Sequence, residues 1–277
     1  FYFGTTDFLC GTIDPWGRVL PLLFSDVTGM TRLEWIILQR GMFVFLGLGL
    51  VMLAMGMMPR LSERAGVTWK VRVGGWTFLL IGILFGGAYY GIFHEINNRR
   101  GLYREVFEKY AKVKGGHVKT HNIYFHQEGD KITGVSDLVV TNVGMQSLVH
   151  PVLYLNPGLE VTTLTGREGE NLPYTREAQA ILLEKALQPG EEILLHLVYE
   201  GKIDEAICFP DFTNEEFHDT RLMSFFQTYH SMFRHGRCFA RVGDDYTLLF
   251  PECLWYPVAV SPVNVSAPLA RQYDFTR

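Results

Sequence analysis

Two long uncharged runs lie in the first third of the sequence. Residues 41–58 form eighteen positions without a charge, and residues 73–93 form twenty-one. Because a bilayer core about 30 Å thick is crossed by roughly 20 apolar residues in a helix, both runs predict membrane spans. The first run also has the length of a buried core helix in a soluble protein. Since the loop between the runs is short, we predict a transmembrane hairpin over 41–93.

The pattern changes after the second run. Residues 94–112 are polar and helix-like, with Leu102, Val106 and Tyr110 on one face, and they predict a stalk that Gly115 and Gly116 end. From residue 117, short runs of β-branched and aromatic residues alternate with turn residues, which predicts an antiparallel sandwich or barrel. The predicted strands are 119–126, 132–141, 146–155, 160–164, 180–186, 191–199, 237–242 and 246–250.

One helix is predicted to interrupt these strands. Thr213 and Glu216 have the spacing of a capping box, in which each side chain bonds a free backbone N–H of the first helical turn. Apolar residues then recur at helical spacing as far as Gly236, which is typical of a helix stop. Residues 214–235 are therefore predicted to form an amphipathic helix, or a pair of helices, packed on the sheet.

Basic residues favour one orientation of the hairpin. The loop 59–72 is denser in Lys and Arg than the flanks, as cytoplasmic loops are, and the leading segment 1–40 is poor in them. Both flanks, including the β region, are therefore predicted to lie outside the cytoplasm. Arg99, Arg100 and Arg104, directly after the second run, favour the opposite orientation.

Composition agrees with a membrane-attached protein. Apolar residues make up 48% of the 277 positions and charged residues only 19%, against roughly a quarter in an average soluble domain. A chain with 14% aromatic residues is not disordered. The net charge of −4 provides no basic field, so we predict no nucleic-acid partner. Phe1 at the start and an unfinished strand at Arg277 indicate a fragment of a longer polypeptide.

Candidate catalytic and metal-binding residues are few. His117 and His121 have the spacing of a zinc pair on a helix, but they fall in a predicted strand, which favours surface histidines. His94 and Glu95 begin like a zinc-peptidase HExxH motif, but Asn98 stands where its second histidine belongs. The sequence therefore predicts no catalytic, cofactor-binding or metal-binding residue in this chain.

The cysteines leave two readings open. No CxxC pair occurs among the four, which are Cys10, Cys208, Cys238 and Cys253. A disulfide between Cys208 and Cys238 is compatible with an extracytoplasmic β region. Ordinary buried thiols are the favoured interpretation.

Glycines in the second apolar run have a helix-packing spacing. Gly82 and Gly86 form one small-xxx-small pair, and Gly87 and Gly91 form another. Such pairs let a second helix approach closely, although glycine is also common in membrane helices for other reasons. We predict from them that the hairpin packs against further spans.

An ordered set of motifs in the β region resembles the N-terminal β domain of M1-family zinc aminopeptidases. Apolar strands end at Asn142 and at Asn156. An L-E-V run at 159–161, a P-G-E turn at 188–191, a Y-x-G-x-I strand end at 199–203 and an L-W-Y-P segment at 254–257 follow in order. The resemblance implies a β domain that flanks a catalytic domain and helps to form its substrate cleft. The family motifs GxMEN and HExxH are missing from this sequence, so the resemblance implies zinc only for a catalytic domain beyond residue 277 and no activity of this chain alone.

The membrane part resembles ABC-2 type permeases, through an I-D-P-W-G motif at 13–17 and Arg40 before an apolar span. Bacterial fusion proteins join such a permease to a C-terminal M1 aminopeptidase, and this chain resembles the junction of one. The resemblance implies the bacterial inner membrane as the location. The implied partners are the lipid bilayer, other transmembrane helices of the parent permease, a separate ATP-binding subunit and a peptide substrate.

The sequence thus predicts a mixed fold, with a transmembrane α-hairpin followed by a mainly antiparallel β-sandwich. The predicted parts are an extracytoplasmic loop at 1–40, the hairpin at 41–93, a stalk or linker at 94–116 and an M1-like N-terminal β domain at 117–277. The alternative is a non-enzymatic, membrane-anchored extracytoplasmic β-sandwich used for binding or assembly. HExxH within the next couple of hundred residues after Arg277 would favour the peptidase, and a stop codon there would favour the alternative.

Overall fold

The computed structural model describes residues 12–15, 20, 32–58, 65–110, 113, 116–208, 210, 240–244 and 246–260. The chain divides into two compact units. Phe1–Ile96 and His218–Cys238 belong to the first, and Asn97–Phe217 and Phe239–Arg277 belong to the second. The predicted amphipathic helix 214–235 lies outside the described residues.

Two helices build the described part of the first unit. Helix α1 is Leu33–Met57, and helix α2 is Ala65–Tyr110, of which the residues up to Ile96 belong to this unit. Both are long and apolar enough to span a membrane, with a mean hydropathy of 2.0 for the first and 1.6 for the second over their most apolar 18 residues. Only 17% and 22% of those stretches are buried, whereas the core helix of a soluble protein is mostly buried.

Glycines allow α1 and α2 to pack closely. A Cβ atom added to Gly82 would lie 2.8 Å from Cγ of Leu46, and one added to Gly86 would also meet an α1 side chain. A Cβ atom on Gly87 or Gly91 would meet no atom of the described chain within 4 Å. The first small-xxx-small pair is therefore used inside the hairpin, and packing of the second pair against further spans stays a prediction.

The I-D-P-W-G region is bonded to the start of α1. Gln39 Nε2 donates a hydrogen bond of 2.6 Å to the carbonyl oxygen of Asp14, and Arg40 Nη1 donates one of 2.6 Å to that of Pro15. Gln39 is fully buried. Because a buried amide is costly without a partner, these two contacts fix residues 14–15 against the helix.

Nine strands are described in the second unit. In chain order they are β1 His117–Glu128, β2 Lys131–Thr141, β3 Val152–Tyr154, β4 Leu159–Thr165, β5 Tyr174–Glu177, β6 Ala180–Leu183, β7 Glu192–Gly201, β8 Ala240–Val242 and β9 Thr247–Leu249. One sheet has the order β1-β2-β7-β4, a second has β3-β6-β5, and β8 pairs with β9. All the described strand pairs are antiparallel, in agreement with the sequence prediction.

A single apolar cluster joins the two larger sheets. Leu138 of β2 and Leu195 of β7 are fully buried in it, and Leu153 of β3 and Ile181 of β6 contribute from the smaller sheet. Alternation along a strand sends every second side chain to this core, which is the arrangement of a sandwich. The prediction of antiparallel sheets around one core therefore agrees with the structure.

The structure differs from the predicted strands at two places. Within the run 146–155, only Val152–Tyr154 forms a strand. Residue 148 pairs with residue 187 in an isolated bridge and does not extend that strand. Strand β5 was not predicted, since its sequence Tyr-Thr-Arg-Glu has little apolar content. In strand β7 the face with Leu195 and Tyr199 is fully buried, and the opposite face is partly exposed.

The last part of α2 belongs to the β unit. Residues 97–110, which the sequence predicts as part of a stalk, lie in the same compact unit as the sheets. Tyr103, Val106 and Tyr110 are buried, and their spacing of three and four residues places them on one helix face. The predicted face was partly wrong, because Leu102 is 54% exposed and Tyr103 takes its place.

Candidate functional site

Polar side chains hold the end of α2 on the β sheets, and we call this set the helix–sheet contact. Its centre is Asp204, whose side chain is 13% exposed. Arg99 Nη1 and Tyr103 Oη each donate a hydrogen bond of 2.8 Å to Asp204 Oδ2. The other carboxylate oxygen accepts a hydrogen bond of 2.9 Å from the backbone N–H of Ala206 and thereby caps a short 3-10 turn, Glu205–Ile207. Hydrogen bonds to a charged group are the stronger kind, so this carboxylate is well stabilised.

Tyr103 acts as a donor in this contact. Burial and the hydrogen bond to Asp204 raise its pKa above the ordinary value of a tyrosine. The phenol therefore stays protonated at neutral pH and can donate to the carboxylate. The backbone carbonyl oxygen of Tyr103 also accepts a hydrogen bond of 2.7 Å from Gln179 Nε2.

Arg100 binds the end of the same 3-10 turn. Its side chain is almost fully buried, and Nη1 donates a hydrogen bond of 2.5 Å to the carbonyl oxygen of Cys208. The carbonyl oxygen of Ala206 lies 3.5 Å from the same nitrogen. The guanidinium group of Arg100 therefore provides a hydrogen-bond donor for carbonyl groups that have no partner inside the short turn.

Glu177 holds the other end of the helix–sheet contact. Its Oε2 atom accepts hydrogen bonds from Lys109 Nζ at 2.6 Å and from Tyr110 Oη at 2.5 Å. The bond from Lys109, followed by that from Tyr110, holds the pKa of Glu177 below its usual value. Tyr154 Oη adds a hydrogen bond of 3.3 Å to the carbonyl oxygen of Tyr110.

A cavity of about 450 Å³ lies beside this contact. Its lining includes Tyr103, Val106 and Lys109 of α2 together with Pro157 and Glu177. Lys109 and Glu177 are bonded to each other, so two of its charged groups are already engaged. Ligand pockets need polar groups that converge on the bound molecule, and this lining does not provide such a set.

The two motif asparagines close loops. Asn156 is fully buried; its Oδ1 atom accepts from the N–H groups of Gly158 and Asp204 at 2.8 and 2.9 Å. Its Nδ2 atom donates to the carbonyl oxygens of Cys253 at 2.6 Å and Asp204 at 3.1 Å. All four bonding positions of the amide are thereby used. Asn142 likewise donates to the carbonyl oxygens of residues 146 and 187. These motif residues therefore have structural roles.

The histidines of β1 do not form a metal site. His117 pairs with Thr141 and His121 with Leu138, and a register shift lies between them. Since residues 138 and 141 are three apart on β2, the two histidines lie on opposite faces of the sheet. His121 instead lies beside Tyr256, with ring centroids 5.7 Å apart. Burial lowers the pKa of His121 to about 4, so the imidazole is neutral at pH 7.

An Asp–His pair lies on the outer face of the large sheet. His196 Nδ1 is 2.6 Å from Asp137 Oδ1, and the side chains are 40% and 37% exposed. A catalytic triad would also need a nucleophile within hydrogen-bond reach of the imidazole, and Ser136, the adjacent hydroxyl on β2, points to the core. Among the described residues, no group of three or more His, Cys, Asp or Glu side chains is placed to hold a metal ion.

The cysteine geometry differs from the sequence hypothesis. Cys208 is fully buried, and its Sγ atom lies 3.7 Å from that of Cys253, which is also fully buried. Cys238, the partner considered from the sequence, lies outside the described residues. Sequence spacing gave no signal for the observed pair, because the sheets and turns between the two residues decide their distance.

Comparison with known proteins identifies a class of structural neighbours. No family model matches the chain, and no curated protein matches it. Solved structures that match are M1 zinc metallopeptidases. The M1 zinc metallopeptidase from Deinococcus radiodurans and a mutant of it bound to a Tyr-Ser-Ala substrate each match at 23% identity with a TM-score of 0.29. The matches cover 33% of this chain and 21% of those chains, so the chain spans about a fifth of their length. At this TM-score they support no conclusion about activity.

Proposed function

We propose that this chain is the membrane-anchored β domain of an M1-type zinc aminopeptidase that is fused to an ABC-2 type permease in the bacterial inner membrane. The β domain helps to form the substrate cleft, and the catalytic zinc belongs to a domain beyond residue 277. This chain by itself is inactive. Other permease helices, a separate ATP-binding subunit and the peptide substrate are the partners of the parent protein.

The proposal of membrane anchoring rests on one observation, which is that helix α2 contributes residues to both units. This one 46-residue helix supplies the uncharged run 73–93 and also the buried residues Tyr103, Val106 and Tyr110 of the β domain. The uncharged run is about 32 Å long at a helical rise of 1.5 Å per residue, which is close to the thickness of a bilayer core. A helix that joins a bilayer-length run to a domain core is what a membrane-anchored domain requires.

Exposed apolar side chains on both helices support the same proposal. Leu50 and Val51 of α1 are 61% and 56% exposed, and Ile83 and Leu84 of α2 are each 62% exposed. Exposed apolar surface of this kind is unfavourable in water by about 25 cal/mol per Å² and is stable in contact with lipid. The lipid bilayer therefore accounts for surface that the described chain leaves uncovered.

The M1 assignment is supported by the ordered motifs in the sequence. Asn142, Asn156 and the turn at 188–191 are positions where loops of the sandwich close. Loop-closing residues constrain a fold, so a shared order of such residues indicates a shared fold more than a shared chemistry. The peptidase activity is therefore proposed for the parent protein only.

One observation favours the non-enzymatic alternative. Strand β1 is twelve residues long and pairs with β2 alone among the described strands, so it is an edge of its sheet. Tyr124 on this edge is 64% exposed. Long exposed edges with aromatic residues can accept a partner strand, which is a mode of binding or assembly.

Membrane fractionation tests the anchoring. We expect the full chain to stay with membranes after an alkaline carbonate wash and to need detergent for extraction. A variant lacking residues 32–93 should leave the membrane fraction. If the full chain is soluble without detergent, the anchoring proposal is wrong.

An activity assay tests the assignment of chemistry. Purified full chain with added zinc should not cleave aminoacyl reporter substrates, because the sequence contains no HExxH to hold zinc and activate water. Robust cleavage that a chelator abolishes would overturn the assignment. The parent gene is expected to encode HExxH after residue 277, and a stop codon there would favour the binding alternative.

A further inference from the structure

We propose that Cys208 and Cys253 form a disulfide that fastens together the two turns on which the helix–sheet contact rests. The geometric basis is their contact inside the β unit. Their Sγ atoms are 3.7 Å apart, and both side chains are fully buried. The two sulfur atoms are in van der Waals contact, and rotation of the side chains about χ1 is the motion that shortens their distance to the S–S bond length of about 2.05 Å.

Backbone hydrogen bonds fix both cysteines in place. Arg100 donates to the carbonyl oxygen of Cys208, and Asn156 donates to that of Cys253 at 2.6 Å. Cys208 follows the 3-10 turn Glu205–Ile207, and Cys253 ends a second one, Pro251–Cys253. Both turns are thereby held in positions where the two sulfur atoms lie 3.7 Å apart.

The two partners are distant in sequence, which gives the bond a structural consequence. It would close a loop around the 44 residues between positions 208 and 253. Cross-links that close long loops restrict the unfolded chain most in the entropy model. Arg100 and Asn156 each donate a hydrogen bond to the carbonyl oxygen of one of the two cysteines. The bond would therefore hold the acceptors of both side chains at a fixed distance from each other.

The covalent step is a thiol–disulfide exchange with an external disulfide, either a small molecule such as oxidised glutathione or a disulfide oxidoreductase. One cysteine thiolate attacks the external disulfide and releases one thiol. The second cysteine then attacks the mixed disulfide and releases the other thiol. Two protein thiols are oxidised, the external disulfide is reduced, and the two protons of the protein thiols pass to the two thiols that leave.

Burial determines when the exchange occurs. Desolvation raises the pKa of Cys208 well above that of an ordinary thiol, so little thiolate exists in the folded domain. The exchange therefore takes place while the domain folds or opens. Once it is formed, the buried bond is protected from reductants by the same shielding. In cells the step requires an oxidising compartment, and to that extent it rests on the proposed extracytoplasmic location.

Mass spectrometry of the full chain tests the pairing apart from the location. The chain is unfolded, refolded in detergent with reduced and oxidised glutathione, alkylated in denaturant and digested without reduction. We expect a cross-linked peptide that joins positions 208 and 253. A Cys238→Ala variant should keep this cross-link, and a Cys253→Ala variant should leave Cys208 alkylated. Cross-linking of Cys208 to Cys238, or alkylation of Cys208 in the unsubstituted chain, would overturn the proposal.

The rate of reduction provides a second measurement. Reduction of the cross-link by dithiothreitol should be at least about tenfold slower in native detergent solution than in denaturant, because the bond is buried. Equal rates would contradict a bond inside the core. The redox state of the pair in intact cells then reports the location only. A cross-link that forms on refolding but not in cells would contradict the extracytoplasmic location that the basic residues of the hairpin predict.

Discussion

At the scale of single residues, Gly134 makes room for the largest side chain of the sandwich core. A Cβ atom on Gly134 would lie 2.2 Å from Cζ of Tyr199, which is fully buried. Gly134→Ala is therefore expected to lower the free energy of unfolding by about 1–3 kcal/mol through overpacking. Unfolding by denaturant in detergent solution measures this free energy.

Two variants control the Gly134 experiment. Gly101→Ala in α2 meets no described atom within 4 Å and should be neutral or stabilising by up to about 1 kcal/mol. Adding Tyr199→Leu to Gly134→Ala removes the overlap, so the two substitutions together should cost less than their sum. Additive losses would contradict this account of the glycine.

His121 is expected to make the β domain sensitive to acid. Its pKa is lowered from 6.5 to about 4, chiefly by burial, with Asp137 acting in the opposite direction. Its contribution to stability is therefore complete above pH 6.5, where the unfolded chain is also neutral, and is lost as the pH falls towards 4. The loss is about 2–3 kcal/mol.

Comparison of two histidine variants isolates this effect. His121→Phe should flatten the dependence of the free energy of unfolding on pH between 6.5 and 4. His126→Gln, an exposed change on the same strand, should leave the dependence as it is. If both variants have the slope of the unsubstituted chain, burial of His121 does not cause the sensitivity.

At the scale of elements, the two small-xxx-small pairs of α2 are expected to differ in their importance for the hairpin. Gly82→Leu places side-chain atoms where Leu46 of α1 packs, and we expect it to destabilise the hairpin by about 2 kcal/mol. Gly87→Leu, five residues further along the helix, projects where the described chain has no atom within 4 Å and should be neutral in the isolated chain. Thermal unfolding in micelles distinguishes them. Equal losses would mean that the first pair has no special role.

The end of α2 is expected to depend on Asp204. Asp204→Asn keeps the shape of the side chain but removes the charge that Arg99 and Tyr103 bind. Hydrogen exchange of the backbone amides of residues 99–110 should therefore become faster. The free energy of opening this part of the helix should fall by about 1.5–3 kcal/mol. The control is Asp130→Asn. Asp130 forms an ion pair with Lys202 in which both side chains are mostly exposed, and such pairs contribute little to stability. Unchanged exchange in Asp204→Asn would show that apolar packing alone holds the helix.

At the scale of the whole molecule, the proposed anchoring predicts that the β domain lies on the outer side of the membrane. The basic loop 59–72 favours an external β domain, because cytoplasmic loops are enriched in Lys and Arg. A cysteine at Glu168, in an exposed turn, should react with a membrane-impermeant maleimide in cells whose outer membrane is permeable. Gly166 is less suitable, since the carboxylate of Glu170 occupies the space of its Cβ.

The matched control is a cysteine at Ser62, in the loop between the two runs. Both variants are made in a chain whose native cysteines are replaced by alanine. We expect the cysteine at Ser62 to be protected. Protection at Glu168 together with labelling at Ser62 would invert the topology and place the β domain in the cytoplasm.

Local pattern in the sequence was sufficient to predict most of the described elements. Uncharged runs of bilayer length predicted the region of α1 and α2, and period-two alternation predicted most strands of the sandwich, because both signals depend on neighbours within one element. The polar strand Tyr174–Glu177 escaped prediction, since it contributes little apolar surface of its own.

Contacts between distant residues were decided only by the tertiary structure. Whether Gly82 or Gly87 faces α1 depends on the rotation of one helix against another, and the neighbour of Cys208 depends on where two turns meet. Asn156 was visible as a motif residue, but its four hydrogen bonds involve groups up to 97 positions away. Sequence pattern records which face of an element is apolar. It does not record which partner covers that face, because the partner is selected by packing and hydrogen bonding over the whole domain.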